Sequence, residues 1–170
     1  MALAAPGTIA DVKGQEKLTC LLECGRTRAR GAVKTWEVFM FKRIDHVEIV
    51  TDQPEKTVEF YTGVLGFKVK GRDRIERSAL GVPMLLVYLE LGGTVVELIS
   101  YEGAAVEPAP QQEHLGYRMM ALEVGDMQKT VEYLQVKGVE IVWGPLVREK
   151  YARAEIRDPN GFHIELRQWF

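Results

Sequence analysis

With 170 residues, of which 46% are hydrophobic and 27% charged, the chain has the balance of an ordinary globular protein, and disorder as its main state is excluded. Its formal net charge of -2 leaves no overall basic field to gather phosphates or anionic lipid, which argues against nucleic acid or a membrane surface as partner. No apolar run approaches the roughly 20 residues of a membrane span, and no basic stretch precedes a long apolar one at the N-terminus, so the expected location is the cytoplasm.

Residues 1–41 read differently from the rest. MALAAPG, GQEKLTCLLECG and RTRARG show no sustained period, which predicts an N-terminal extension, flexible or lying ahead of a natural start at Met40, with a short helix over 15–23 as the alternative. Cys20 and Cys24 are too few and too close for a disulfide framework. Their spacing is read as a structural coincidence before a redox or metal pair. Arg26, Arg28 and Arg30 are read as a solvated face.

From residue 42 onward the text repeats itself. KTVEF at 56–60 recurs as KTVEY at 129–133, and VLGFKV at 64–69 as VKGVEIV at 136–142 with a one-residue slip. GGTVVEL at 92–98 then recurs as NGFHIEL at 160–166. Three matches in the same order predict a duplicated unit: repeat one over 43–101, a linker over 102–115 and repeat two over 116–168.

In chain order, residues 44–50 predict a strand, and Pro54 opens the following helix at a position where its missing N–H costs nothing. That helix carries Val58, Tyr61 and Leu65 on one stripe and is expected to close at Gly66. Strands are expected over 67–69, 84–91 and 94–100, with Gly92-Gly93 as a hairpin turn. The second copy predicts a strand over 117–124, a helix over 127–136 closed by Gly138, and strands over 139–143, 151–157 and 162–167. Asp158-Pro159-Asn160-Gly161 has the turn chemistry of the last hairpin. A four-stranded sheet cannot bury both faces alone, so the two copies must close on each other. The expected class is α+β: two βαβββ repeats forming a cup, an incompletely closed β-barrel with its helices outside.

Alternation along a strand puts His46 and Glu48 on one face, Glu97 with Val95 and Ile99 on another, and Glu165 with His163 and Arg167 on a third. If helices cover one side of each sheet, these polar groups face the cup. A buried carboxylate needs a partner. Matching glutamates from the two copies plus one imidazole suit a divalent cation with N and O ligands. Taken singly, each residue reads equally as a solvated strand end or a packed side chain.

IDHVEIVTDQPEKTVEFYTGVLGF resembles the opening of vicinal-oxygen-chelate proteins of the glyoxalase, bleomycin-resistance and extradiol-dioxygenase type, and RDPNGFHIEL resembles their closing hairpin. The resemblance implies a metal held by a His or Gln on the first strand of each copy and a Glu or Gln on the fourth. His46, Glu97 and Glu165 fall on three of those positions. The fourth is Met119, whose thioether is a poor ligand for such cations. His114 could reach in from the linker. His163 is a substitute ligand, a general base or, preferentially, a rim residue.

The resemblance further implies one divalent ion, with Zn, Ni, Co, Mn and Fe not distinguished, and a homodimer acting on a small molecule. Lyase or isomerase chemistry on a 2-oxo, hydroxy-acyl or acyl-thioester substrate would run through an enediolate, with Glu165 moving the proton. Val50 and Tyr101 stand where glyoxalase I carries its glutathione-binding Arg and Asn, so the likeness stops short of that enzyme's substrate pocket. The epimerase branch has a similar opening but also a second-copy His that is missing here. The alternative is a metal-free protein sequestering an aromatic or hydrophobic compound, with Tyr88, Tyr101, Tyr117 and Met119 as lining beside Glu48, His163 and Arg167. A dioxygenase, which would want two His and one Glu around iron, is third.

Overall fold

The computed structural model describes residues 42–170, so the N-terminal extension, the helix expected over 15–23, the two cysteines and the Arg26, Arg28 and Arg30 cluster lie outside the described residues. The elements run β1 (His46–Val50), α1 (Pro54–Gly63), β2 (Lys68–Ile75), β3 (Met84–Leu91), β4 (Thr94–Tyr101), β5 (Met120–Glu123), α2 (Met127–Val136), β6 (Ile141–Val147), β7 (Tyr151–Arg157) and β8 (His163–Trp169). They form two four-stranded sheets of the same design, ordered β1-β4-β3-β2 and β5-β8-β7-β6. In each, the first strand runs parallel to the fourth and the other neighbours are antiparallel. This is the duplicated, open α+β cup that the repeat predicts.

The helices form where the sequence marks them. Pro54 occupies the first turn of α1, and the Asp126 carboxylate caps α2 by accepting from the Lys129 N–H at 3.0 Å. Each helix presents an apolar stripe to its sheet. Val58 and Tyr61 join Ile49, Val87, Leu89, Val96 and Leu98, while Met127, Val131 and Leu134 join Ala152, Ala154, Ile156, Ile164 and Leu166. All of these are buried, and they make one continuous core across both halves. Each fully buried Leu or Ile contributes roughly 1.5–3 kcal/mol of burial.

Several boundaries differ from the sequence expectation. Strand β2 extends to Ile75 rather than stopping at Val69, because it is an edge strand whose ladder to β3 is made by backbone groups while Arg72, Asp73 and Arg74 remain in water. Strand β6 likewise continues through Gly144 and Pro145, a position an outermost strand tolerates. Gly144 has φ +82°, and a Cβ there would sit 2.8 Å from the Arg153 carbonyl oxygen, so only glycine fits. Helix α1 stops at Gly63 instead of running to Leu65, and strand β5 is shorter than expected, leaving Tyr117 and Met119 in the approach to it.

The halves meet through a buried polar network at the last hairpin. The Thr51 hydroxyl donates to Asn160 Oδ1 at 2.6 Å, and Asn160 Nδ2 donates to Thr57 Oγ1 at 3.2 Å and to Asp158 Oδ2 at 3.0 Å. The Tyr61 hydroxyl reaches Asp158 Oδ2 at 3.5 Å, and burial, reinforced by the Asp158 charge, pushes this phenol far above its ordinary range.

Candidate functional site

Parallel pairing of β1 with β4 sets Glu48 directly opposite Glu97, and His46 shares the Glu48 face two residues earlier. Together His46, Glu48 and Glu97 offer ligand atoms that all lie within 4.8 Å of one another. His46 Nε2 is 3.4 Å from Glu97 Oε2 and 3.5 Å from Glu48 Oε1. On the other side of the ring, Nδ1 is 3.1 Å from Asp45 Oδ2, and Asp45 in turn accepts from Arg43 at 2.6 Å. With a carboxylate partner at Nδ1 to keep a ring proton there, a cation held between the two glutamates would take the Nε2 lone pair in place of a second proton. The Asp45 hydrogen bond is also the largest cause that raises the His46 imidazole above its usual value, with Glu48 and Glu97 adding to it against partial desolvation.

Glu97 is the buried member, 8% exposed, and among the described residues its carboxylate takes no hydrogen bond. A buried carboxylate so placed is costly without a cation. One imidazole nitrogen and two carboxylates form a donor set that fits a borderline divalent ion such as zinc, cobalt or nickel. Tyr88 stands opposite Glu97 on β3, and its phenol is raised first by desolvation and then by Glu97 and Asp73. Tyr101 lies further along β4, half-buried.

The second sheet carries a different chemistry on the corresponding face. There Glu165 pairs across the ladder with Glu155, and Arg167 with Arg153. Arg153 Nη2 lies 2.6 Å from Glu155 Oε1 and 3.1 Å from Glu165 Oε2, while Arg167 Nε donates to Glu165 Oε1 at 2.6 Å. Both glutamates are buried, and each is neutralised by guanidinium. The arginines are backed by aromatic rings: Arg153 over Trp143 at 4.7 Å, Arg167 over Tyr151 at 4.6 Å and over Trp169 at 5.1 Å.

The expected trio of His46, Glu97 and Glu165 is therefore not assembled within one chain. Glu48, expected only as a pocket residue, takes the third place beside His46 and Glu97, and Glu165 is held on the other sheet by Arg153 and Arg167. His163 is held at one nitrogen, its Nε2 accepting from Arg157 Nε at 3.0 Å, while its buried Nδ1 lies 3.4 Å from Glu155 Oε2 and, among the described residues, makes no hydrogen bond. Met119 has its sulfur against Arg118 at 3.3 Å, and His114 Nε2 is 3.0 Å from the Tyr117 carbonyl oxygen. His114, Met119 and His163 line a separate small pocket of about 80 Å³.

A larger cavity of about 500 Å³ opens beside the cluster, walled by Glu48 and Val50 of β1, by Asp52, by linker residues 106–110 and by Tyr117 and Phe162. The two rings stack in parallel, 5.9 Å between centroids and 2° between planes. Tyr117 is thus a lining residue, as the sequence leads one to expect. The sequence gives no sign of the linker's part, since the Pro-rich stretch has no periodicity to place it against β1.

Two tandem βαβββ sheets with a His-Glu-Glu cluster in the first define a class of open-cup proteins built by duplication. Residues 43–166 match the Glyoxalase/Bleomycin resistance protein/Dioxygenase superfamily, and the chain belongs to that family. It is 31% identical over 131 residues to the uncharacterized protein YwkD of Bacillus subtilis, covering 75% of this chain and 97% of that one. It is also 28% identical over 129 residues to a lactoylglutathione lyase of Arabidopsis thaliana, covering 75% of this chain but only 44% of that enzyme. Among solved structures, a glyoxalase family protein from Bacillus cereus superposes with a TM-score of 0.67 at 24% identity over 76% of this chain and 95% of the other. A trypanothione-dependent glyoxalase I of Leishmania major superposes with a TM-score of 0.59 at 25% identity, over 74% of this chain and 86% of that one. Among the described residues, no helix is long and apolar enough to cross a membrane.

Proposed function

We propose that this chain is a divalent-metal-dependent lyase or isomerase that moves a proton at a carbon beside a carbonyl in a small oxygenated substrate. The observation that carries this reading is the His46, Glu48 and Glu97 cluster, in which the buried Glu97 carboxylate has, among the described residues, no other partner than the His46 ring. His46 and Glu97 would hold the ion, with Asp45 fixing the imidazole. A bound divalent ion would supply Lewis-acid polarisation of a substrate oxygen. Glu48, the most exposed of the three, is the carboxylate free to take and return the proton. Tyr88 and Tyr101 flank that face. Glu165, paired with both Arg153 and Arg167 on the second sheet, is not the base in this reading.

A homodimer is part of this reading. Trp169 and Phe170 at the end of β8 are 59% and 65% exposed, and Val147 of the adjoining β6–β7 edge is 63% exposed, an apolar patch suited to a second copy. The metal-free sequestering alternative draws on the cavity beside the cluster. The dioxygenase alternative finds a single imidazole in the cluster, since His114 and His163 lie with Met119 elsewhere.

The test is titration of the purified full chain with Co(II), followed by its visible absorption, together with solvent-deuterium exchange into hydroxyacetone followed by NMR. One equivalent bound in the parent, none in His46→Ala and Glu97→Ala, and exchange lost in Glu48→Gln with metal retained are the expected outcomes. Failure of the parent to bind a divalent ion would end this reading.

A further inference from the structure

We propose that the cavity beneath the linker binds a small molecule that carries a protonated amine, or another compact cation, on an aromatic or apolar body. Its volume of about 500 Å³ lies within the ~300–1,000 Å³ of small-molecule sites. Three of its wall residues, Glu48, Asp52 and Glu107, are carboxylates, and no Lys, Arg or His is among its described lining residues. Like charges around a concavity with apolar walls focus their field, attracting cations and repelling anions. Lys56, on the adjoining helix, is turned toward Gln53 Oε1 at 3.2 Å.

Two of those charges are uncommitted. Among the described residues Asp52 and Glu107 form no ion pair and no side-chain hydrogen bond, whereas Glu155 and Glu165 on the second sheet are held by guanidinium. Much of the remaining wall is apolar, and the stacked Tyr117 and Phe162 rings offer the π surface on which an organic cation is stabilised. An anionic ligand would meet carboxylates with no compensating cation among the described lining residues, so the pocket discriminates by charge as well as by shape. Glu48 belongs both to this wall and to the His46-Glu48-Glu97 cluster. A molecule seated here therefore has one end at the proposed proton-transfer site. This narrows the substrate of the proposed reaction, on which it rests, to oxygenated molecules with a cationic tail. The binding preference itself needs no metal.

The experiment is calorimetric titration of the chelator-treated full chain with three ligands sharing one phenol body: tyramine, 4-ethylphenol and 3-(4-hydroxyphenyl)propionate. Tyramine should bind at least about tenfold more tightly than the carboxylate, with 4-ethylphenol between them. The Asp52→Asn, Glu107→Gln double variant, which touches neither the proposed ligands nor the proposed base, should reduce that ratio to less than about threefold. In the parent, the ratio should also shrink as salt is raised, a second readout that needs no variant. Equal or tighter binding of the carboxylate, a preference insensitive to both salt and the double variant, or no saturable binding of any of the three would overturn the proposal. Co(II) stoichiometry measured on the same preparations separates the two readings. Metal bound without amine preference sinks the pocket alone, and amine preference without metal sinks the metal centre alone.

Discussion

The two halves of this molecule share a backbone plan and differ in the side chains on the sheet face that the helix does not cover. Register makes the comparison position by position. Leu86 and Ile99 are cross-strand partners beside Glu97, where Arg153 and Arg167 are partners beside Glu165. Tyr88 lies opposite Glu97 where Glu155 lies opposite Glu165, and Glu48 lies opposite Glu97 where Ala121 lies opposite Glu165. In the first half a buried carboxylate is surrounded by apolar side chains, a phenol and an imidazole, so its charge is available to a cation. In the second the same carboxylate is neutralised by two guanidiniums. The two copies keep one geometry, and a few side chains distinguish the one whose donor set fits a cation from the one whose carboxylates are already paired.

The largest effect tests what the halves kept in common. Leu98 and Leu166 occupy matching positions, 1% and 2% exposed. Truncating either to Ala should cost about 3 kcal/mol in urea denaturation. Costs differing by more than about 1.5 kcal/mol would show that the two cores are not equivalent.

Metal affinity tests what they do not share. Glu97→Ala should weaken Co(II) binding on the order of a hundredfold or more, above the 10–100-fold typical of outer partners, while Glu165→Ala should change it by less than about threefold. Equal losses would collapse the comparison. Arg153→Leu, which gives the second half the kind of residue the first half has at Leu86, should cost about 2 kcal/mol of stability by leaving two buried carboxylates with one cation fewer. A neutral or stabilising result would mean that those glutamates find another partner.

The smallest effect sharpens the role of Asp45. A cation needs the neutral His46 Nε2, and Asp45 is the main cause that raises the imidazole. Divalent affinity in the parent should therefore fall as pH drops through that raised value. Asp45→Asn should move the fall to lower pH and weaken binding above it about tenfold, as measured by Co(II) titration across pH. An unchanged pH profile would remove Asp45 from the site.

Much of this was legible in the sequence because it is periodic. The KTVEF and KTVEY repeat exposes the duplication, and strand alternation puts His46 with Glu48 and predicts which face Glu97 occupies. What alternation omits is cross-strand register. Glu48 meets Glu97 only because β1 and β4 pair in parallel at that offset, and Glu165 is neutralised only because β7 places Arg153 diagonally across from it. The lengths of β2 and β6 were hidden for another reason: edge strands are held by backbone ladders, and their charged, Gly and Pro residues carry no apolar rhythm. The cavity was hidden because loop packing has no period at all.

The Thr51, Thr57, Asn160, Asp158 and Tyr61 network has a consequence for connectivity. It joins residues more than a hundred positions apart in sequence through hydrogen bonds that need neither the linker nor a shared ladder between the sheets. A backbone cut between Tyr101 and Met120 should thus leave two fragments that co-purify and refold together as a noncovalent pair. Asn160→Ala should weaken the pairing of the same fragments without abolishing it, because the apolar core also spans both halves, which makes the amide a fastener added to a seam that side-chain packing already closes.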